Sequence, residues 1–477
     1  MFAFVTRYFS EFRILKSASR DFWLTNGIQF FDGLAYFSMI TVLSLYLTTN
    51  CGFSDVDSGK WVGIYTLYIT AFVFAVGSIC DVIGIKRSLV IGISLLILSR
   101  LGLGVAPLFL RDDPLQLTVK GLIIVMSLGT AFMSPVIMTA LRRYTSKETR
   151  ATGFNVYYLL MNIGAVIANA LIVDLMRTGK AFGLEVFKGF GNVTGNLVIL
   201  DIGFGAAICA LVCSLLLREH NWAEPSERNA SSTAKRPLHL FLEVWREKPF
   251  QKLVLFLVLT LGVRLVFTHQ FLVMPKYYTR MLGSDFELGF ANSINPIIIV
   301  IGLIVLIPVI NRFATIKLII LGMAVSAFSL VFLAVPIDWV LRLPFLHNHE
   351  QAYYFIIVAQ IVVFAVGELI FSPRFTEYIA SVAPPDKVSS YMALSALPMF
   401  IAKPINGFIS GILISRYCYD GIRPKIETGN VGYVHSPEFM WMIYLSLAVL
   451  SPIAVIALKG YLTRGDSQPP APGTNAS

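Results

Sequence analysis

The chain has 477 residues, 56% of them hydrophobic and 14% charged, with a formal net charge of +10. Its apolar runs of about 20 residues are long enough as helix to cross about 30 Å of hydrocarbon, which excludes a soluble enzyme and, by their length, a transmembrane barrel. The excess of Lys and Arg falls in alternate polar connections, the positive-inside pattern, so it reports a lipid bilayer as partner and no nucleic acid.

In chain order, residues 1–22 carry Arg7, Arg13, Lys16 and Arg20 without an early apolar core. They read as a basic amphipathic segment on the membrane surface and not as a cleavable signal. Spans are predicted at roughly 24–48, 60–79, 88–109, 119–141, 152–176 and 197–217. The first contains Gln29, Asp32, Gly33 and Tyr36, and a carboxylate at that depth needs a partner, a proton or water. Between the second and third lies the tight turn Gly77-Ser-Ile-Cys-Asp81-Val-Ile-Gly84-Ile-Lys86-Arg87. It forces antiparallel neighbours and sets Asp81, Lys86 and Arg87 at the water boundary. The third span carries Arg100 near its middle, and the fourth Ser134-Pro135, followed by the basic residues Arg142, Arg143, Lys147 and Arg150. The fifth reads Gly153-Phe-Asn-Val-Tyr157-Tyr158-Leu-Leu-Met-Asn162-Ile-Gly164. Asp174 and Asp201 are expected at the outer ends of spans five and six, within reach of water.

Residues 218–250 form the longest polar stretch within the membrane region and read as a cytoplasmic linker between two six-helix halves. Six more spans follow at roughly 251–275, 288–310, 315–335, 352–373, 391–415 and 439–459. They carry Arg264 and His269 in the seventh, Asn292 and Asn295-Pro296 in the eighth, and Gly367-Glu368-Leu-Ile-Phe-Ser372-Pro373 in the tenth. The eleventh holds Lys403-Pro404; Asn311-Arg312, between spans eight and nine, stands where the first half has its tight turn. The tail after Arg464 is rich in Pro and Ser and is expected to be disordered. Of the five cysteines, Cys209 and Cys213 lie in an apolar span and are expected as buried small hydrophobes. No nucleophile–base pair, metal cluster or phosphate loop is visible, so no enzyme, metal site or organic cofactor is expected. The chain thus reads as an all-α polytopic membrane protein of 12 transmembrane helices. It divides into a basic segment (1–22), a six-helix bundle (23–217), a linker (218–250), a second six-helix bundle (251–460) and a tail (461–477), with both termini cytoplasmic.

The turn at 77–87 resembles the loop between helices two and three of the major facilitator transporters. Gly77, Asp81, Gly84, Lys86 and Arg87 occupy the places of a conformational latch. Phe154, Tyr158 and Asn162-Ile-Gly164 resemble the fifth-span signature of the proton-coupled oligopeptide transporters, and Gly367 to Pro373 their tenth-span segment. The resemblance implies the major facilitator fold and a midplane substrate site that includes Tyr36, Asn162, Asn295, Glu368 and Ser372. In that site Asn295 and Glu368 take the amino end of the substrate. The chain also departs from the family. Its first-span Glu-x-x-Glu-Arg is here Gln29-Phe-Phe-Asp32-Gly33, its fourth-span lysine is Ser134, and a tryptophan of span eleven is Ser395.

The lost cations direct attention to Arg264 and Lys403 as replacements that meet the anionic end of a substrate. Arg100 is read as structural, and Asp32 and Glu368 as the proton-coupling carboxylates. The competing reading is that the mid-span cations merely bridge Asp32 and Glu368. His269 is read as structural. The function implied is secondary active transport of a small organic solute, a peptide or another amino-bearing compound, by a monomer driven by protons. The alternative is a non-transporting receptor or assembly factor on the same scaffold. Either would be a multi-pass protein of a plasma or inner membrane, or of an endomembrane.

Overall fold

The computed structural model describes residues 18–145, 150–218, 248–310, 313–382 and 397–463. The basic segment before Ala18, most of the linker (219–247), Lys147, Asn311, Arg312, Ser395 and the tail after Thr463 lie outside the described residues. The first group of helices comprises α1 (Arg20–Thr49), α2 (Asp55–Ile83), α3 (Ile85–Phe109), α4 (Asp112–Arg143) and α5 (Arg150–Val166). The chain of α5 continues through a π-helical stretch (Ile167–Val173) into α6 (Asp174–Thr178), the two-stranded hairpin Lys180–Ala181 and Leu184–Glu185, and α7 (Gly191–Leu216). The second group comprises α8 (Lys248–Leu259), α9 (Leu261–Leu272), α10 (Met274–Leu282), α11 (Leu288–Ile310), α12 (Thr315–Ser329), α13 (Val331–Ala334) and α14 (Ile337–Val340). It closes with α15 (His349–Val382), α16 (Leu397–Tyr417), α17 (Ile422–Glu427) and α18 (Pro437–Thr463).

Nine of the described helical segments are each long and apolar enough to cross a membrane, and the bent pair α8–α9 adds a tenth. Helices α2, of 29 residues, and α11, of 23, complete the set of twelve expected crossings. The helices begin and end where the chain supplies local signals. Ser19 and Ser54 cap α1 and α2 by accepting from Phe22 N and Asp57 N, which satisfies donors that a helix start leaves open. Gly84, at φ +88°, ends α2 and starts α3 in a single residue, a backbone turn that a side chain would strain.

Two irregularities were not foreseen. The seventh crossing breaks at Thr260, where α8 and α9 meet at 50° and the Thr260 hydroxyl turns back onto the Leu257 carbonyl. In the fifth crossing the π-helical stretch surrounds Asn169, whose amide donates to Ala165 O while its oxygen accepts from Thr41 of α1 at 2.7 Å. A correction also falls here: Cys209 lies exposed on the outer face of α7, while Cys213 is half-buried and packs against the core, so only Cys213 comes near the buried small hydrophobe expected of both.

Taking the end where α1 finishes as distal, contacts between the two groups gather toward that end. Helices α2 and α16 run together along a glycine seam: a Cβ on Gly59 would stand 2.5 Å from the Gly411 Cα, and Gly407 meets Gly63 with the same closeness. Only hydrogen atoms at these four positions permit that approach. Further along the pair, Thr70 donates to the Phe400 carbonyl at 3.2 Å.

Candidate functional site

The polar residues predicted for mid-span come together on two sides of the bundle. On the first side, Asp32 of α1 meets Arg100 of α3, with Nη2 to Oδ1 at 3.5 Å. Arg100 is 1% exposed, and its Nε and Nη1 have no hydrogen-bond partner among the described residues. A buried guanidinium that spends one donor on one long contact is an incompletely satisfied group. Tyr36 lies one turn beyond Asp32, and Tyr65 of α2 is buried beside this group with its hydroxyl 3.1 Å from Thr130 Oγ1 of α4. Tyr157 of α5 is within electrostatic reach of Asp32.

On the second side, Asn295 of α11 donates from Nδ2 to Glu368 Oε2 of α15 at 3.0 Å. The Asn295 Oδ1 is buried without a partner among the described residues. Glu368 and Arg264 of α9 act on each other electrostatically but form no ion pair among the described residues. The Arg264 guanidinium lies instead over Phe375 at 4.4 Å, Phe371 at 4.9 Å and Phe267 at 5.3 Å, and its Nε has no partner among the described residues. Three ring faces hold the cation by quadrupole attraction, leaving it without a carboxylate. Ser372 is one turn past Glu368, half-buried on the same helix, as its i+4 position requires.

Across from Glu368 stands α5. Tyr158 is 40% exposed and within electrostatic reach of the Glu368 carboxylate. Asn162 is buried, and its amide donates to the Tyr158 carbonyl on its own helix at 2.8 Å. Helices α5 and α11 pack together, which brings Asn162 and Asn295 to one interior although 133 residues part them in sequence. Lys403 is half-buried on α16 and makes no hydrogen bond or ion pair among the described residues. His269 is buried between Phe364 and Trp441, with Gln360 3.4 Å from its Nε2, inside the second group.

At the turn between α2 and α3, Lys86 donates from Nζ to Leu215 O at 2.6 Å and Leu217 O at 3.1 Å, binding the C-terminal carbonyls of α7. Arg87 is exposed. Gly77 and Asp81 lie in the helical run of α2, but their surroundings, and so the carboxylate's part in a latch, lie outside the described residues. Among the described residues no group of three or more His, Cys, Asp and Glu side chains is placed to hold a metal ion.

The distal end holds residues that the sequence reading passed over. Asp55 Oδ1, in the first turn of α2, accepts from Lys276 Nζ and Arg280 Nη2 of α10, each at 2.8 Å, and its Oδ2 accepts from the same Arg280 nitrogen. Arg280 also donates from Nε to Asp420 Oδ1 at 2.8 Å and from Nη1 to Cys418 O. The signal available in sequence was two cations one turn apart, Lys276 and Arg280, just beyond a predicted span. Asp174 corrects an expectation. It is 0% exposed, not open to water, and its two oxygens accept from Gly289 N at 2.7 Å and Phe290 N at 2.6 Å, in the first turn of α11.

The profile of the Major Facilitator Superfamily matches residues 26–405. The chain belongs to that superfamily. The fold agrees with solved members at low identity. A POT family transporter in complex with a thioalcohol-conjugated peptide has a TM-score of 0.69 and 14% identity, over 93% of this chain and 97% of that one. The nucleoside transporter NupG has a TM-score of 0.68 and 14% identity over 92% and 100%, and a D-xylose-proton symporter 0.65 and 14% over 91% and 95%. No curated protein matches the sequence. As a major facilitator protein this chain is an integral, multi-pass membrane protein and a transporter of small solutes.

Proposed function

We propose that this major facilitator protein is a secondary transporter of a small amino-bearing organic solute, a peptide among the candidates, with protons as the driving ion. The observation that carries the substrate class is the Asn295–Glu368 pair. A half-buried carboxylate and a buried amide oxygen without a partner among the described residues stand together, and what the pair lacks is a further donor. An ammonium supplies three donors and a charge. Arg264 and Lys403 are the cations of the same half that meet the opposite end, while Asp32, next to Arg100, and Glu368 are the carboxylates whose protonation couples to transport. In this reading both termini are cytoplasmic, so a cysteine placed at exposed Phe345 is labelled from outside the membrane.

The test is binding of a matched pair, one free amine and its acylated form, to wild type and Glu368→Gln. A charge-assisted hydrogen bond contributes about 1.5–3 kcal/mol, so the amine should weaken by about ten- to a hundred-fold and the acylated form far less. Equal weakening of both would make Glu368 a structural partner and remove the amine from the substrate class. Counterflow of the labelled amine into proteoliposomes tests transport itself.

A further inference from the structure

We infer that Asp55 and Asp174 are state-setting residues of the transport cycle: two carboxylates of the first helix group that hold the distal end shut by binding donors of the second. Each lock is complete in itself. At Asp55 the donors are Lys276, 2% exposed, and Arg280, 7% exposed, so the charges are removed from water together and satisfy one another. At Asp174 the donors are two backbone N–H groups at the start of α11, the kind a helix leaves without internal partners. A residue of one helix group thereby caps a helix of the other. A third bond, Gly183 N to Glu287 Oε1 at 3.0 Å, joins the hairpin of the first group to the loop before α11.

None of these bonds survives separation of the two groups at this end, because no lock has both partners in one group. The locks therefore stabilise the distal-closed form alone, and a residue that binds one state only shifts the balance between states. Arg280 adds a constraint on direction. It also grips Asp420 and the Cys418 carbonyl, which belong to its own group, so on opening the guanidinium stays with α10 and α16 and Asp55 leaves it. Water then takes up the Asp55 carboxylate.

The test is the distance between spin labels at Lys188→Cys and Leu343→Cys, exposed positions of the first and second groups at the distal end, in a background without native cysteines. Asp55→Asn and Asp174→Asn should each move part of the population to a longer distance, and the double variant more. Glu427→Gln, which removes a pair within α17, should leave the distribution as in wild type. Unchanged distances in both single variants and the double would overturn the proposal. If Asp55→Asn fails to fold, Lys276→Gln, which weakens the same lock from the donor side, is read in the same way. The inference rests on alternating access as proposed above, and the two can fail separately. Lengthened distances without counterflow retain the locks and reject transport of the tested amine, whereas counterflow with unaltered distances rejects the locks.

Discussion

Arg280 and Arg100 are both buried arginines of this chain, and they are treated in opposite ways. Arg280, at the distal end, uses its donors on two carboxylates and a carbonyl. Arg100, at mid-span, has among the described residues one 3.5 Å contact and two nitrogens with no partner. The contrast extends to their surroundings. Asp174 is answered by two backbone donors, while Asn295 keeps a buried oxygen unanswered and Arg264 is held by rings without a carboxylate. Saturated groups hold one arrangement of the bundle where a partner lies on the other helix group, because that partner contributes only there. Unsaturated buried groups carry a cost that a ligand or a proton can relieve, which is a reason for reading the middle of the molecule as the binding region.

The comparison can be broken at its strong side first. Removing one partner of a buried charge network costs about 3–5 kcal/mol. Arg280→Ala should therefore lower the midpoint of thermal unfolding in detergent well below that of wild type. A loss no larger than that of an exposed arginine would mean that the network is a surface feature. The weak side is measured by double-mutant cycles. The Asp55–Arg280 coupling should approach about 3 kcal/mol and the Asp32–Arg100 coupling stay near or below about 1 kcal/mol. Equal couplings would erase the distinction between locked and open arginines.

The glycine seam sharpens the same contrast without charge. Gly59→Ala must push α2 from α16, since its Cβ meets the backbone of Gly411, and overpacking of this kind costs about 1–3 kcal/mol. Thermal unfolding should show that loss, and the spin-label distance should lengthen. Gly205→Ala, where nothing stands near the added carbon, should do neither.

The smallest effect expected is that of pH, and its sign is informative. Burial pushes the Lys276 ammonium down to about 8 against the pull of Asp55, with Arg280 and Asp420 as the other charges facing it. Once the distal end opens and water reaches it, the group returns toward the ordinary lysine value of 10.5. Between those values the closed form binds fewer protons than the open one, so raising the pH through 8 favours closure. Burial also works against the Asp55 carboxylate, but Lys276 and Arg280 outweigh it and hold it below the usual range. That contribution to closure is present at neutral pH and is lost only as pH falls through the carboxylate range. The distal label distance should thus stay short from pH 7 to 9 and lengthen in acid; lengthening toward pH 9 would show that the pull of Asp55 outweighs burial at Lys276 in the closed form.

Much of this molecule was legible in the residue order. Runs of apolar residues set the number and approximate bounds of the crossings, because the requirement to satisfy backbone groups in hydrocarbon acts on each run separately. The polar residues within them, Asp32, Arg100, Asn162, Arg264, Asn295, Glu368 and Lys403, were conspicuous for the same reason. Their pairings were not. Whether Arg100 or Arg264 would stand beside Asp32 depends on which way each helix is turned, and hydropathy is nearly blind to rotation in a bundle whose outer face is also apolar. The break at Thr260 and the π-helical stretch at Asn169 change that rotation part-way along a crossing, and no composition signal marks them.

The order of residues by itself determined that this is an all-α membrane protein of the major facilitator kind, with charge placed at mid-span. Tertiary structure alone decided which charges are satisfied. Asp55 and Arg280 are 225 residues apart, and Asp174 and Gly289 are 115 apart. The reason is range: helix formation and membrane insertion are settled by neighbours within a few turns. A carboxylate on one helix group finds its donor on the other only when the whole bundle has closed around them.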